Sequence, residues 1–195
     1  GLAGHSESVK QAAVADRLVL TKTDLCSEGE VAPLIEELRR LNSSAPIIQS
    51  DTDRLDAEFI LAEDMYHPDG KAREAALWRQ AGDRQSTEAE LHDHGHRHGG
   101  IYSFCLRFDQ PLDWTAFGIW MSMLLHRHGE NVLRLKGMLN VRGQTAPVLI
   151  NGVQHIVHPP EHLAHWPDAD HGSRIIFIVC RLSREKIENS LSVFN

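Results

Sequence analysis

The sequence predicts two packed units in succession, an α/β segment up to about residue 65 and a two-layer α+β domain from about residue 101. Three observations carry that reading. Before residue 65, short apolar runs alternate with apolar residues at helical spacing, the rhythm of an α/β sheet. Over 66–100 the composition turns polar and rich in turn formers. After Ile101, strand-like runs recur around one long helical segment.

In the first unit, Arg17-Leu18-Val19-Leu20 reads as a strand. A helix from about Glu30 to Leu41 follows, with Val31, Leu34, Ile35, Leu38 and Leu41 on one side and Pro33 in its first turn. Pro46-Ile47-Ile48 is a second strand, and Asp51-Thr52-Asp53 is suited to cap a further helix carrying Leu55, Phe59, Ile60 and Leu61. The stretch 66–100 holds a His67-Pro68-Asp69-Gly70 turn, a short helix through Trp78 and a histidine run, and it reads as a linker.

In the second unit Ile101 to Phe108 is a strand, and Asp113 to His128 a helix with Trp114, Phe117, Met121, Leu124 and Leu125 at helical spacing, ended by Gly129. Strands over Val132–Val141 and Val148–Val157 are joined as a hairpin across Arg142-Gly143-Gln144. His158 to Gly172 is too rich in proline and polar residues for a regular element. Arg174 to Leu182 is a strongly apolar strand, and a last helix starts near Ser183. The order β-α-β-β-β-α suggests a two-layer domain of ferredoxin-like arrangement.

Composition excludes several classes. The 195 residues carry a net charge of −7 and no long basic run, which disfavours a phosphate backbone as partner. No stretch approaches the ~20 apolar residues of a membrane span, and the first ten residues lack the parts of a signal peptide, so the reading is cytoplasmic. Cys26, Cys105 and Cys180 lie far apart with no Cys-x-x-Cys pair, against a disulfide framework or a zinc knuckle. Thirteen histidines are the compositional anomaly.

Thr21-Lys22-Thr23-Asp24 sits directly after a strand and before a helix. A carboxylate there can accept from the ring N–H and exocyclic amine of guanine, a pair adenine does not offer, while a lysine stem lies flat on the base. Asp24 would choose the base, with Thr21 and Lys22 in support. The bland alternative is an ordinary strand-to-helix turn. A phosphate cradle Gly-x-x-x-x-Gly-Lys-Ser/Thr is absent, because Gly70-Lys71 is followed by Ala72 and preceded by Met65 where the first glycine belongs. No catalytic residue for nucleotide hydrolysis is therefore assigned.

Four histidines, His92, His94, His96 and His98, alternate with Asp93, Gly95 and Arg97. Neutral imidazole suits zinc, cobalt or nickel, and protonation below about pH 6.5 would weaken such a site. The bland alternative is a solvated polar linker. His155, His158, His162, His165 and His171 are spaced like ligands, but Pro159 and Pro160 interrupt any helix, and structural or interface roles are preferred. A zinc hydrolase built on them would lack a His-Glu-x-x-His motif. His126 and His128 suit helix capping, and Trp114, Phe117, Trp120, Met121 and Met123 suit packing.

The guanine motif after Ala15-Asp16, together with Arg134-Leu135-Lys136-Gly137, Gly152-Val153-Gln154-His155, His158-Pro159-Pro160, His162-Leu163, Trp166-Pro167 and the Ser173–Ile178 strand, resembles the later part of the CobW family of GTPases. The resemblance runs from about Ala15 to Ser190. It implies a remnant of a P-loop GTPase domain over 1–65, a His-rich linker over 66–100 and a CobW C-terminal domain over 101–195. It implies GTP, met only at its guanine end, and Zn²⁺ (or Co²⁺ or Ni²⁺) bound by the linker histidines. It further implies a metal-dependent client protein as partner, with no nucleic acid or membrane, in zinc homeostasis or cobalamin biosynthesis. The family's phosphate loop and Cys-x-Cys-Cys motif have no counterpart here, so the expectation is a C-terminal fragment of a GTP-dependent metallochaperone, inactive as a GTPase by itself. The alternative is a stand-alone metal-binding or interaction module with no nucleotide role.

Overall fold

A computed structural model describes residues 6–50, 71, 75–82 and 100–192. The chain opens with helix α1 (Ser6–Val14), which the sequence reading did not anticipate. Its apolar content is small, but Val9, Ala12 and Ala13 fall at i, i+3 and i+4 and are all buried. Strand β1 (Leu18–Thr21), helix α2 (Glu28–Leu41) and strand β2 (Ile47–Ser50) then form a β-α-β unit, with β1 and β2 parallel and Leu18 opposite Ile47.

Helix α2 starts earlier than expected, at Glu28, because Ser27 and Glu30 form a capping box: the Glu30 carboxylate accepts from the Ser27 backbone N–H at 3.0 Å and from its hydroxyl at 2.8 Å. Those bonds, the backbone one foremost, hold the Glu30 carboxyl below its ordinary pKa. Pro33 thus stands inside the helix rather than in its first turn, and its missing N–H removes one i→i−4 bond. The expected helix after Asp51 lies outside the described residues.

Within 66–100, residues 75–82 form helix α3. Ala75, Trp78 and Ala81 are buried against Cys105, Met138, Leu149 and Ile176, so this piece of the expected linker is part of the core. The remaining elements are β3 (Ile101–Phe108), α4 (Trp114–His128), β4 (Val132–Leu139), β5 (Val148–Val153), β6 (Ile156–Val157), β7 (Glu161–His162), β8 (Ser173–Cys180) and α5 (Arg184–Ser192).

The second sheet is antiparallel in order β3-β8-β4-β5-β6, with β7 also paired to β5. The expected β-α-β-β-β-α order and the β4–β5 hairpin are present, Leu139 lying opposite Val148. The connectivity departs from the ferredoxin-like β-α-β-β-α-β, because the last helix follows the final strand instead of joining two strands. Two expectations are corrected in detail. The strand expected over 148–157 breaks at Gln154, which takes a left-handed conformation (φ 53°) and turns β6 back onto β5. The loop 158–172 holds one short strand, β7.

Both faces of this sheet are covered. Ile175, Phe177 and Val179 of β8 pack with Phe117, Trp120 and Leu124 of α4 and with Ile187 and Leu191 of α5. The Trp120 indole N–H donates to Ser190 Oγ at 2.8 Å and ties the two helices together. On the opposite face Ile178 and Leu133 meet α1 and α2, while Ile176 and Met138 meet α3. An irregularity in the register between Val132 and Arg134 lets the consecutive residues Leu133 and Arg134 both turn toward the α1 side. Among the described residues no helix is long and apolar enough to cross a membrane.

Candidate functional site

The end of β1 builds the candidate nucleotide site. Thr21 closes the strand, Lys22 takes a left-handed conformation (φ 58°, ψ 31°), and Thr23–Leu25 form one 3₁₀ turn closed by Cys26 N–H donating to the Thr23 carbonyl at 3.1 Å. A lysine in the left-handed region costs on the order of 1 kcal/mol, and such strain tends to sit at functional turns. The side chains of Thr21, Lys22 and Asp24 are exposed. Thr21 lies opposite Ser50, so the carboxyl ends of two parallel strands stand side by side, the edge at which open α/β sheets bind ligands. The turn therefore gathers all three expected guanine-side residues at one accessible edge.

The approach to β1 is anchored in the second sheet, a feature sequence reasoning did not assign. Asp16 Oδ1 lies 3.0 Å from Lys136 Nζ and is paired with the Arg134 guanidinium, which also donates to the Val14 carbonyl at 3.4 Å. Arg134 and Lys136 are 3% and 1% exposed, an unusual depth for cations without a carboxylate beside them. Lys136 Nζ also stands 4.8 Å from the centre of the Trp78 ring. Gly137 is needed for clearance, since a Cβ there would come within 2.8 Å of Ile150 Cγ1. The signal available in the sequence was the Arg134-Leu135-Lys136-Gly137 run itself, two charges on one side of an otherwise apolar strand.

A second knot lies at Asn42, fully buried after α2. Its amide Nδ2 donates to the carbonyls of Ala12 (2.9 Å), Ala13 (3.2 Å) and Ala15 (2.9 Å), and its Oδ1 accepts from Ser44 Oγ and Ala45 N–H. Asn42 thus caps the last turn of α1 from another element.

His92, His94, His96 and His98 lie outside the described residues. Among the described residues no group of three or more His, Cys, Asp or Glu side chains is arranged to hold a metal ion. His155, His158, His162, His165 and His171 are exposed; His162 belongs to β7, and His171 stacks on Trp166 at 4.6 Å. The loop that carries them is held instead by Asp170. Its Oδ2 meets Arg174 at 2.7 Å and Arg79 and Arg107 at 3.2 Å each, and its Oδ1 accepts from Gly172 N–H at 2.8 Å. The Arg174 hydrogen bond foremost, with the Gly172 N–H, brings the Asp170 pKa down to about 2. On α4, Phe117, Trp120 and Met121 are core, whereas Trp114 and Met123 remain substantially exposed. The His128 carbonyl is taken by Asn131 N–H at 2.8 Å.

The chain resembles known proteins in sequence and in fold. Residues 101–194 match the family described as cobalamin synthesis protein cobW C-terminal domain. The zinc chaperone YjiA of Escherichia coli (strain K12) is 29% identical over 177 residues, which cover 91% of this chain and 51% of that protein. The chain thus spans about half the length of this curated relative. The solved structure of Zn(II)-bound YjiA GTPase from E. coli superposes with a TM-score of 0.68 at 26% identity, covering 99% of this chain and 58% of the other. A Zn(II)-bound triple mutant of YjiA GTPase gives 0.66 at 23% identity with the same coverage, a likeness of fold. Residues 101–194 thus match a CobW C-terminal domain, and the chain as a whole is similar to CobW-type GTPases.

Proposed function

We infer that this chain is the base-reading and C-terminal part of a GTP-dependent metallochaperone, which delivers a transition metal, zinc or cobalt, to a client protein. The carrying observation is the exposed Thr21-Lys22-Thr23-Asp24 turn at the carboxyl edge of two parallel strands, in a chain whose CobW C-terminal domain packs on the approach to that turn. Asp24 accepts from the guanine ring N–H and amine, and Lys22 lies along the base. GTP hydrolysis belongs to the whole protein, since the 195 residues contain no phosphate-cradle motif. The metal is cargo, and the linker histidines His92, His94, His96 and His98 supply exchangeable imidazole ligands for zinc, cobalt or nickel. The C-terminal domain recognises the client or couples to nucleotide state.

Two titrations test the reading. Guanosine and adenosine are added to the isotopically labelled chain while the amides of Thr21 to Leu25 are followed by NMR; selective shifts with guanosine are expected. Zinc is titrated into the chain and into a variant with the four linker histidines changed to serine, and loss of binding is expected in the variant. No guanosine response with intact zinc binding would leave a stand-alone metal-binding or interaction module.

A further inference from the structure

Strand β1 is short and none of its four residues is fully buried, so packing alone fixes its position weakly. Two groups bracket it in sequence. Asp24 follows in the turn, and Asp16 precedes it in the segment leaving α1. Asp16 is half-exposed, yet its carboxylate reaches two deeply buried cations of β4, Lys136 at 3.0 Å and Arg134. Strand β4 has all eight residues buried and is hydrogen-bonded on both sides, to β5 and β8, which makes it one of the most constrained strands of the molecule. An ion pair with partners this far from water is screened little and is directional, because each cation sits on a fixed backbone.

We propose that Asp16, with Arg134 and Lys136, positions the Lys22–Asp24 turn: the C-terminal sheet sets where β1 enters its own sheet, and so sets where the base-reading turn stands. Asp16 is a positioning residue and touches no ligand. This rests on the guanine-reading proposal for its consequence, though not for its geometry. Coupling of this kind is reciprocal, so a partner or metal that shifts β4 changes base affinity, and an occupied base site steadies β4.

The test uses the full 195-residue chain with Asp16→Asn and amide hydrogen exchange. The expected result is at least about tenfold faster exchange over Leu18 to Leu25, with Ile175–Val179 of β8 unchanged. Uniform acceleration that includes β8 would show a merely structural ion pair, and unchanged exchange over Leu18 to Leu25 would show no role; either overturns the proposal. Should Asp16→Asn fail to fold, Lys136→Met removes one cation while keeping the chain length of the side chain, and the same local pattern is expected; Lys136→Arg is expected to restore it. A second readout is guanosine affinity, expected to fall about tenfold in Asp16→Asn. If the unaltered chain binds no guanosine, the base-reading proposal fails while the exchange result still decides whether Asp16 positions the turn.

Discussion

Replacing Asn42 by alanine removes a side chain that is fully buried and makes five hydrogen bonds, three of them to backbone carbonyls at and just beyond the end of α1. A helix leaves its last carbonyls without internal partners, and here the Asn42 amide supplies the donors. The Ala15 carbonyl is only partly buried, so water can replace Asn42 there, but the Ala12 and Ala13 bonds are buried. Two stranded acceptors at ~1–2 kcal/mol each put the loss at about 2–4 kcal/mol. In a chain of this size that lowers Tm by roughly 5–15 °C. Urea unfolding followed by circular dichroism measures it, and amide exchange should report lost protection in α1 first. Asn42→Asp sharpens the case, because a carboxylate keeps the shape and the Oδ1 acceptor but turns a donor into a charge facing carbonyl oxygens. It is expected to be worse than alanine. A loss under about 0.5 kcal/mol for alanine, or an aspartate variant more stable than the alanine one, would refute the capping role.

The loop carrying the histidines gives a pH prediction. Asp170 has a pKa lowered from 3.8 to about 2, so its contribution is fully present above about pH 4 and is lost as pH falls through 4 toward 2. With the side chain one-third exposed, the lowering is worth about 1–2 kcal/mol after screening, and Asp170→Asn should flatten the acid limb of the stability curve measured by urea unfolding. Asp24→Asn should lower guanosine affinity about a hundredfold and raise affinity for xanthosine, whose 2-carbonyl accepts from the new amide, in a titration of both nucleosides. Gly137→Ala should cost about 1–2 kcal/mol by driving a methyl into Ile150, with Ile150→Val in the same chain recovering part of the loss in a double-mutant cycle.

Much of the second unit was legible because its signals are local. The β4–β5 hairpin follows from two apolar runs around a glycine turn, α4 from helical spacing with Asp113 accepting from Ala116 N–H as its cap, and β8 from an unbroken apolar run. The Lys22–Asp24 turn was placed correctly between strand and helix because the motif carries its own context. What was missed depends on distant partners. Helix α1 has too few large apolar residues to declare itself, and its burial rests on Leu38, Leu41 and Ile178 far along the chain. The roles of Asp16 and Asn42 are hydrogen bonds across 118 and about 30 residues, which no local pattern encodes. The histidine run 92–98 lies outside the described residues.

The continuous apolar run in β8 had a meaning beyond strand formation. A sheet with one wet face alternates apolar and polar residues, whereas a strand apolar at every position expects cover on both sides. In β8, Ile175, Phe177 and Val179 find that cover in α4 and α5, whereas Ile176 lies against α3 together with Leu163 of the loop before β8, and Ile178 against α1 and α2, three helices that precede the second unit in sequence. The same face carries Arg134 and Lys136, whose charges would be costly to bury without a carboxylate and find Asp16. Residue 100 is thus a boundary of composition and of family match, not of packing. The face of the CobW C-terminal domain that receives α1, α2 and α3 is already occupied within this chain. Any partner of this domain has therefore to meet it elsewhere, and among the described residues α4 leaves Trp114, Ile119 and Met123 open to solvent.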